Sequence, residues 1–196
     1  MLTDRRGLAD SRAMAVALAF EVGRGAVMTD ISAGRDPRLR AALEGLGAPL
    51  PHIASADFIS LLGEETRIIE VKGRASSGPV SIIERERDTF VAAGPISWLY
   101  VVWNTTQPPP YRLILVQDPQ RLSWVQTRQA ERQPGSFRGT RHEAAFQCQS
   151  DDVERLGLEV DLNLMAKPAM FDKLVRRDTS VFIGSWNSLS GDMEEI

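Results

Sequence analysis

The spacing of hydrophobic and polar residues predicts helices in the first part of the chain. Apolar residues are dense over 9–24, where two glycines follow, and this pattern predicts a helix. Pro37 opens a second predicted helix that ends near Leu46. Between the two helices, 26–31 has the composition of a short strand.

From residue 56 onward the pattern changes to that of strands. Residues 56–62 and 66–72 are apolar and β-branched and flank a Gly-Glu-Glu turn, which predicts a pair of strands. Helices and strands alternate along the chain, which indicates an α/β fold with a mixed central sheet flanked by helices. The further predicted elements are an extended segment at 80–83, a helix at 84–93 and strands at 97–103 and 111–117.

The last third of the chain has a different pattern. Residues 126–141 are polar and rich in arginine, and we expect a loop there, either to bind phosphate or as a solvated segment. We therefore expect a core over 1–120 and an α+β extension over 121–196, which packs on the core or binds a partner. The elements predicted in the extension are strands at 155–164 and 179–184 and a helix at 168–176.

Composition restricts the class of protein. No apolar run approaches the ~18 residues of a membrane span, and acidic residues interrupt the first segment where a signal peptide would be basic. Cys148 is the only cysteine, which excludes an internal disulfide and makes a zinc cluster with the two histidines implausible. We expect a cytoplasmic protein that does not enter a membrane, with Cys148 partly buried as a small apolar group.

The charged residues single out one lysine. The net charge of −3 argues against a protein that coats nucleic acid without specificity, although a local basic surface remains open. Only three of the 23 basic residues are lysines, and the others are arginines. A lysine at any basic position is therefore unusual in this chain, and Lys72 is the one that lies in a predicted strand.

Asp57, Glu70 and Lys72 form the sharpest chemical pattern. Glu70 and Lys72 point to the same face of a strand, and antiparallel pairing through the turn brings Asp57 toward them. Clustered carboxylates repel each other, which a hard cation such as Mg²⁺ or Mn²⁺ resolves. We expect Asp57, Glu70 and the backbone carbonyl of Val71 to bind the metal ion, which acidifies a water, while Lys72 stabilises the developing charge.

Other residues are candidates for supporting roles. Glu21 ends the apolar face of the first helix and is either a further acidic ligand or a solvent-facing charge. Arg74, Arg85 and Arg87 flank the predicted site and are candidates for binding a nucleic-acid backbone. Two tryptophans, Trp98 and Trp103, could stack on bases, but their buried strand favours the core.

The sequence also resembles a known family. Residues 68–104, IIEVKGRASSGPVSIIERERDTFVAAGPISWLYVVWN, resemble the domain named after the C-terminus of the protein NO VEIN. That family has an I-E-V-K-G strand, a loop, an extended segment, a helix containing Glu and a Tyr-containing strand that ends in Asn. The first-helix element A-x-x-x-E-x-G-R at 17–24 is also similar, and Glu86 matches the family where Arg87 departs from it. The segment Ser55-Ala56-Asp57 lacks the glycine and aromatic residue usual before the aspartate.

The resemblance implies a function. The family is similar to Mrr-like PD-(D/E)xK nucleases, which implies a restriction-endonuclease-like core that cleaves DNA with Asp57, Glu70 and Lys72 as catalytic residues. It also implies a helicase or another phage-defence protein as partner, and a homodimer remains open. The alternatives are an inactive module of this fold that binds DNA or a protein, and an unrelated α/β interaction domain in which Asp57 and Glu70 lie far apart.

Overall fold

A mixed sheet forms the centre of the computed structural model, which describes residues 2–47, 49–128 and 143–162. The α/β class predicted from the sequence is confirmed. In chain order the elements are α1 (Leu2–Gly23), β1 (Val27–Asp30), α2 (Pro37–Glu44), β2 (Phe58–Leu62), β3 (Glu65–Gly73), β4 (Val80–Ile83), α3 (Glu84–Ala93), β5 (Ser97–Trp103), β6 (Tyr111–Gln117), β7 (Val125–Arg128), β8 (Ala145–Cys148), α4 (Ser150–Leu156) and β9 (Leu158–Leu162).

The six strands of the central sheet lie in the order β1-β2-β3-β5-β6-β9. β3 and β5 are parallel and are connected through α3, whereas the other neighbouring strands are antiparallel. β1, β3 and β5 therefore run in the same direction and end at the same edge, which we call the carboxyl edge. In open α/β sheets this is the edge at which ligands bind.

The two faces of the central sheet pack against different elements. On one face, Ala13 and Phe20 of α1 pack against Ile69 and Val71 of β3. The other face is covered by α2, α3 and a smaller sheet formed by β4, β7 and β8. Because side chains alternate along a strand, Glu70 and Lys72 lie on this second face, away from α1.

A glycine allows α1 to approach β3 closely. A Cβ atom on Gly73 would lie 2.5 Å from the carbonyl oxygen of Ala9 and 3.0 Å from the Cβ of Ala13. The residue that follows Lys72 is thus in direct contact with the first helix.

The described residues beyond 120 take part in both sheets. β4 pairs with β8, and β8 with β7, in the three-stranded antiparallel sheet, while β9 adds a strand to the central sheet beside β6. Arg112 of β6 binds Glu154 of α4 and Glu159 of β9. Cys148 is buried in β8, and this burial raises the pKa of its thiol to about 12, which keeps it protonated.

Several predicted elements require correction. The first helix begins at Leu2, seven residues before the predicted start at 9. In the described part of the predicted strand at 155–164, the end of α4 is followed by β9; α4 buries only Val153 and so leaves little periodic signal. β7 lies partly within the predicted loop at 126–141, and because its four residues are all exposed, no apolar alternation marks it. The elements predicted at 168–176 and 179–184 lie outside the described residues.

Within the described ranges, no helix combines the length and the apolarity that crossing a bilayer would require.

Candidate functional site at the carboxyl edge

The register of the β2–β3 pair brings Asp57 opposite Glu70. Phe58 pairs with Ile69, and the Asp57 N–H donates to the Ile69 carbonyl over 2.9 Å. The Val71 N–H donates to Asp57 Oδ2 over 2.8 Å. The Ile31 N–H, just beyond β1, donates to the Asp57 carbonyl over 2.9 Å. Asp57 is therefore held at the carboxyl edge between β1 and β3.

Lys72 lies between two carboxylates. Its Nζ is 2.6 Å from Glu70 Oε1 and 2.9 Å from Glu86 Oε2. Glu86 lies in the first turn of α3, where its Oε2 also accepts a hydrogen bond from the Ile83 N–H over 3.0 Å. We call Asp57, Glu70, Lys72 and Glu86 the Lys72 cluster.

Burial and charge act on the ionisation of the Lys72 cluster. Burial raises the pKa of Glu70 well above its usual value; Lys72 opposes this shift, whereas Glu86 and Asp57 add to it. Burial also raises the pKa of Asp57, against the effects of the Val71 N–H and of Lys72. For Lys72, burial by itself would lower the pKa, but Glu70 and Glu86 outweigh it and raise the pKa above its usual value. Lys72 is therefore a cation at neutral pH, suited to stabilise negative charge and unsuited to act as a base.

The oxygen atoms at this edge have the chemistry that Mg²⁺ requires. Lys72 engages one Glu70 oxygen and the Val71 N–H engages one Asp57 oxygen, so each carboxylate has a second oxygen outside these two bonds. The Val71 carbonyl leaves β3 on the same side as its N–H, toward Asp57. Two carboxylates and a carbonyl suit Mg²⁺, which keeps several waters. Within the part of the chain that the structure describes, no group of three or more His, Cys, Asp or Glu side chains is arranged to hold a metal ion.

Glu21 is not brought together with the Lys72 cluster. Its carboxylate accepts hydrogen bonds from Ser60 Oγ over 2.6 Å, from Arg67 Nη1 over 3.1 Å and from the Tyr100 hydroxyl. It also pairs with Arg24 over 2.8 Å. Arg67 lies on the α1 face of β3, so the predicted further ligand is buried on the other side of the sheet from Glu70. Neither of the two roles expected for it, metal ligand or solvent-facing charge, describes this fully buried carboxylate.

The three candidate arginines occupy two places. Arg74 follows β3 at the carboxyl edge, where its N–H donates to the Val102 carbonyl over 2.8 Å. Arg85 pairs with Glu143 over 3.4 Å, and the Arg87 guanidinium lies 4.8 Å from the centre of the Phe146 ring. Both α3 arginines thus contact β8 or the residues just before it.

Glu86 is the cluster member that the sequence pattern did not assign to the site. The resemblance matched it, but its place as the third residue of a helix is typical of a capping carboxylate, so the sequence gives no sign of its contact with Lys72. Trp103 is buried, in agreement with the core position predicted for it. Trp98 is partly buried, with the Arg67 guanidinium 4.0 Å from its ring centre.

Comparison of the chain with protein-family models, with curated proteins and with solved structures gave no match.

Proposed function

We propose that this protein is a Mg²⁺-dependent nuclease that cleaves DNA, with Asp57, Glu70 and Lys72 as its catalytic residues. The observation that carries the proposal is the register of β2 and β3. It brings Asp57 opposite Glu70 across twelve intervening residues, with Lys72 hydrogen-bonded to Glu70. Gathering a buried acid, a half-buried acid and a lysine at one edge costs desolvation and repulsion, which favours a chemical role over a purely structural one.

The order of the elements supports the finer fold within the α/β class. β3, a loop, β4, α3 and β5 followed by Asn104 occur in the order that the resemblance to the NO VEIN C-terminal domain implies. We therefore propose a restriction-endonuclease-like core of the PD-(D/E)xK type. A helicase or another defence protein as partner remains part of this proposal.

The chemistry divides between the ion and the residues of the chain. Asp57, Glu70 and the Val71 carbonyl would hold Mg²⁺ or Mn²⁺, which when bound supplies an acidified water and a polarised phosphate. The Lys72 ammonium would stabilise the charge that develops on the phosphate, and Glu86 would hold the ammonium at the site together with Glu70. Arg74, which follows β3 at the same edge, would bind a neighbouring phosphate of the backbone.

A second candidate is a module of the same fold that binds DNA or a protein without cleaving it. The observation that favours it is that Lys72 forms ion pairs with both Glu70 and Glu86. An ammonium between two carboxylates compensates much of their charge without a metal ion. Such a module predicts intact DNA binding after Lys72→Ala.

The test is cleavage of plasmid DNA and of single-stranded linear DNA in the presence of Mg²⁺ or Mn²⁺. We expect Asp57→Ala and Lys72→Ala to lower the rate by roughly 100-fold or more, as is usual when a group that stabilises the transition state is removed. Glu64→Ala is the matched control, because Glu64 is an exposed acid in the turn at the other end of the same hairpin. Equal rates in wild type and both site variants would overturn the proposal. DNA binding without cleavage, unchanged in Lys72→Ala, would favour the second candidate.

A further inference from the structure

A cavity of about 440 Å³ lies between α2 and the chain segment 49–54. This volume falls within the ~300–1,000 Å³ of pockets that hold small organic ligands. Arg35, just before α2, and Arg40, within it, line one side of the cavity, and Leu50, Pro51 and His52 line it from the segment. The walls thus combine guanidinium groups, an imidazole ring and flat apolar surface.

The cavity lies beside the Lys72 cluster. The Asp57 carbonyl accepts from the Ile31 N–H over 2.9 Å, and the Ile31 carbonyl accepts from the Gly34 N–H over 3.1 Å. These two hydrogen bonds connect Asp57 to Gly34, the residue before Arg35. Leu43, which also lines the cavity, packs in one core cluster with Ile68 of β3. Ile68 and Glu70 share a face of the sheet, so the cavity and the cluster lie on the same face.

The charges around the cavity favour an anion. Arg35 forms none of the ion pairs found among the described residues, and it has a φ of 54°, a left-handed conformation that is unfavourable for a residue with a side chain. Among the described residues Arg40 pairs with Glu44 alone, and the two side chains are 71% and 51% exposed, so this pair is weak. Asp36, the one acid among the described residues that line the cavity, is already bound by Arg38 through two side-chain nitrogens and its backbone N–H.

We propose that this cavity binds a single nucleotide of the nucleic acid on which the Lys72 cluster acts, next to the phosphate that is cleaved. Guanidinium groups of Arg35 and Arg40 bind its phosphate, and the base lies against Pro51 and the His52 ring. A base stacked within a duplex cannot enter a cavity. The substrate is then a strand with an unpaired nucleotide at the cleavage position, such as a single strand or a strand end. This inference rests on the proposed function.

The experiment measures binding by fluorescence anisotropy with a labelled single-stranded oligonucleotide and with the duplex of the same sequence. EDTA is present so that nothing is cleaved. We expect wild type to bind the single strand more tightly. Arg35→Gln and Arg40→Gln should each weaken that binding by roughly tenfold and lower the slope of log K against log salt by about 0.7.

Two further variants separate the contributions. His52→Ala should weaken single-strand binding and leave the salt slope unchanged, because a stacking contact displaces no counterions. Arg155→Gln, which removes an exposed arginine from α4, should bind as wild type does and controls for net charge. A titration with dAMP tests whether the cavity accepts only a free nucleotide.

The outcomes separate the two proposals. Unchanged single-strand affinity in Arg35→Gln and Arg40→Gln overturns the inference, as does a wild-type preference for duplex. Binding of dAMP that depends on Arg35, with oligonucleotide affinity independent of it, also overturns the inference. Loss of single-strand binding in these variants supports the cavity as a nucleotide site. If Lys72→Ala then cleaves as fast as wild type, the proposed function alone fails.

Discussion

Lys72 is held by two acids that come from different elements. Glu70 precedes it by two residues on β3, whereas Glu86 reaches it from α3 and also binds the Ile83 N–H. A compact ammonium can donate to two carboxylates that approach it from different directions, whereas a planar guanidinium would require both carboxylates to fit its fork geometry. This agrees with a lysine at this position in a chain whose basic residues are nearly all arginines.

Replacing Glu86 by glutamine tests this arrangement. Glu86→Gln keeps an oxygen that can accept from the Ile83 N–H but removes the negative charge near Lys72. We expect the free energy of unfolding to fall by about 1–3 kcal/mol, the usual loss for a charged hydrogen bond. Urea unfolding measures the change. Glu84→Gln, an exposed acid in the same helical turn, is the control and should remain near the wild-type value.

If both glutamine variants unfolded at the same urea concentration as wild type, Glu86 would not be holding Lys72, and its role would be limited to capping α3.

The contact between α1 and β3 joins the first helix to the strand that carries the cluster. The carbonyl of Ala9 and the methyl group of Ala13 occupy the space that a side chain at Gly73 would need. The close packing of α1 against β3 therefore explains why residue 73, the last of the E-V-K-G segment, is a glycine; no turn is needed to explain it. Any displacement of α1 acts directly on the end of β3.

We predict that Gly73→Ala destabilises the protein. The added methyl group would meet backbone atoms of Ala9, which cannot rotate away, and overpacking of this kind costs about 1–3 kcal/mol. Thermal unfolding measures the effect. Gly7→Ala is the matched control, because Gly7 lies in α1 with no atom within 4 Å of an added Cβ and should be neutral or gain up to about 1 kcal/mol. A Gly73→Ala protein as stable as Gly7→Ala would mean that α1 does not pack closely against β3.

The central sheet separates two buried polar groups in the molecule as a whole. The Lys72 cluster lies on the face of the sheet that α2 and α3 cover. The Glu21 group, in which Glu21 of α1 binds Ser60, Arg67 and Tyr100, lies between the sheet and α1. Arg67 and Arg24 also pair with Glu65, so two arginines balance two acids on the α1 face. The Glu21 group is a satisfied structural network, and the Lys72 cluster retains oxygen atoms for a ligand.

Two isosteric substitutions distinguish these roles. We expect Glu21→Gln to lower stability by about 3–5 kcal/mol, because it leaves the guanidinium of Arg67 partly uncompensated in the interior. It should leave unchanged any rise in melting temperature produced by Mn²⁺. Glu70→Gln should abolish that rise, since a ligand stabilises only the state that binds it. Melting curves at increasing Mn²⁺ concentration provide the measurement. A folded Glu21→Gln protein that no longer responds to Mn²⁺ would contradict the separation of the two faces.

Much of the local structure could be predicted. The bounds of β4, α3, β5 and β6 agree with the predicted ones, because these strands are nearly continuous in apolar residues and the helix between them has an exposed charged face. β7, β8 and α4 were missed or displaced. Such short elements, stabilised by pairing with distant segments, leave too little periodicity in the sequence.

Within the candidate site, the shared face of Glu70 and Lys72 follows from the sequence, because strand alternation depends only on neighbouring residues. That Asp57 lies directly opposite Glu70 could be known only from the register of β2 and β3, because register depends on how a hairpin packs. Packing between segments far apart in the chain also decided that Glu86 joins Lys72, that Glu21 lies behind the sheet and that a cavity opens beside Asp57. No local pattern records these contacts, because each depends on which faces of distant elements bury each other.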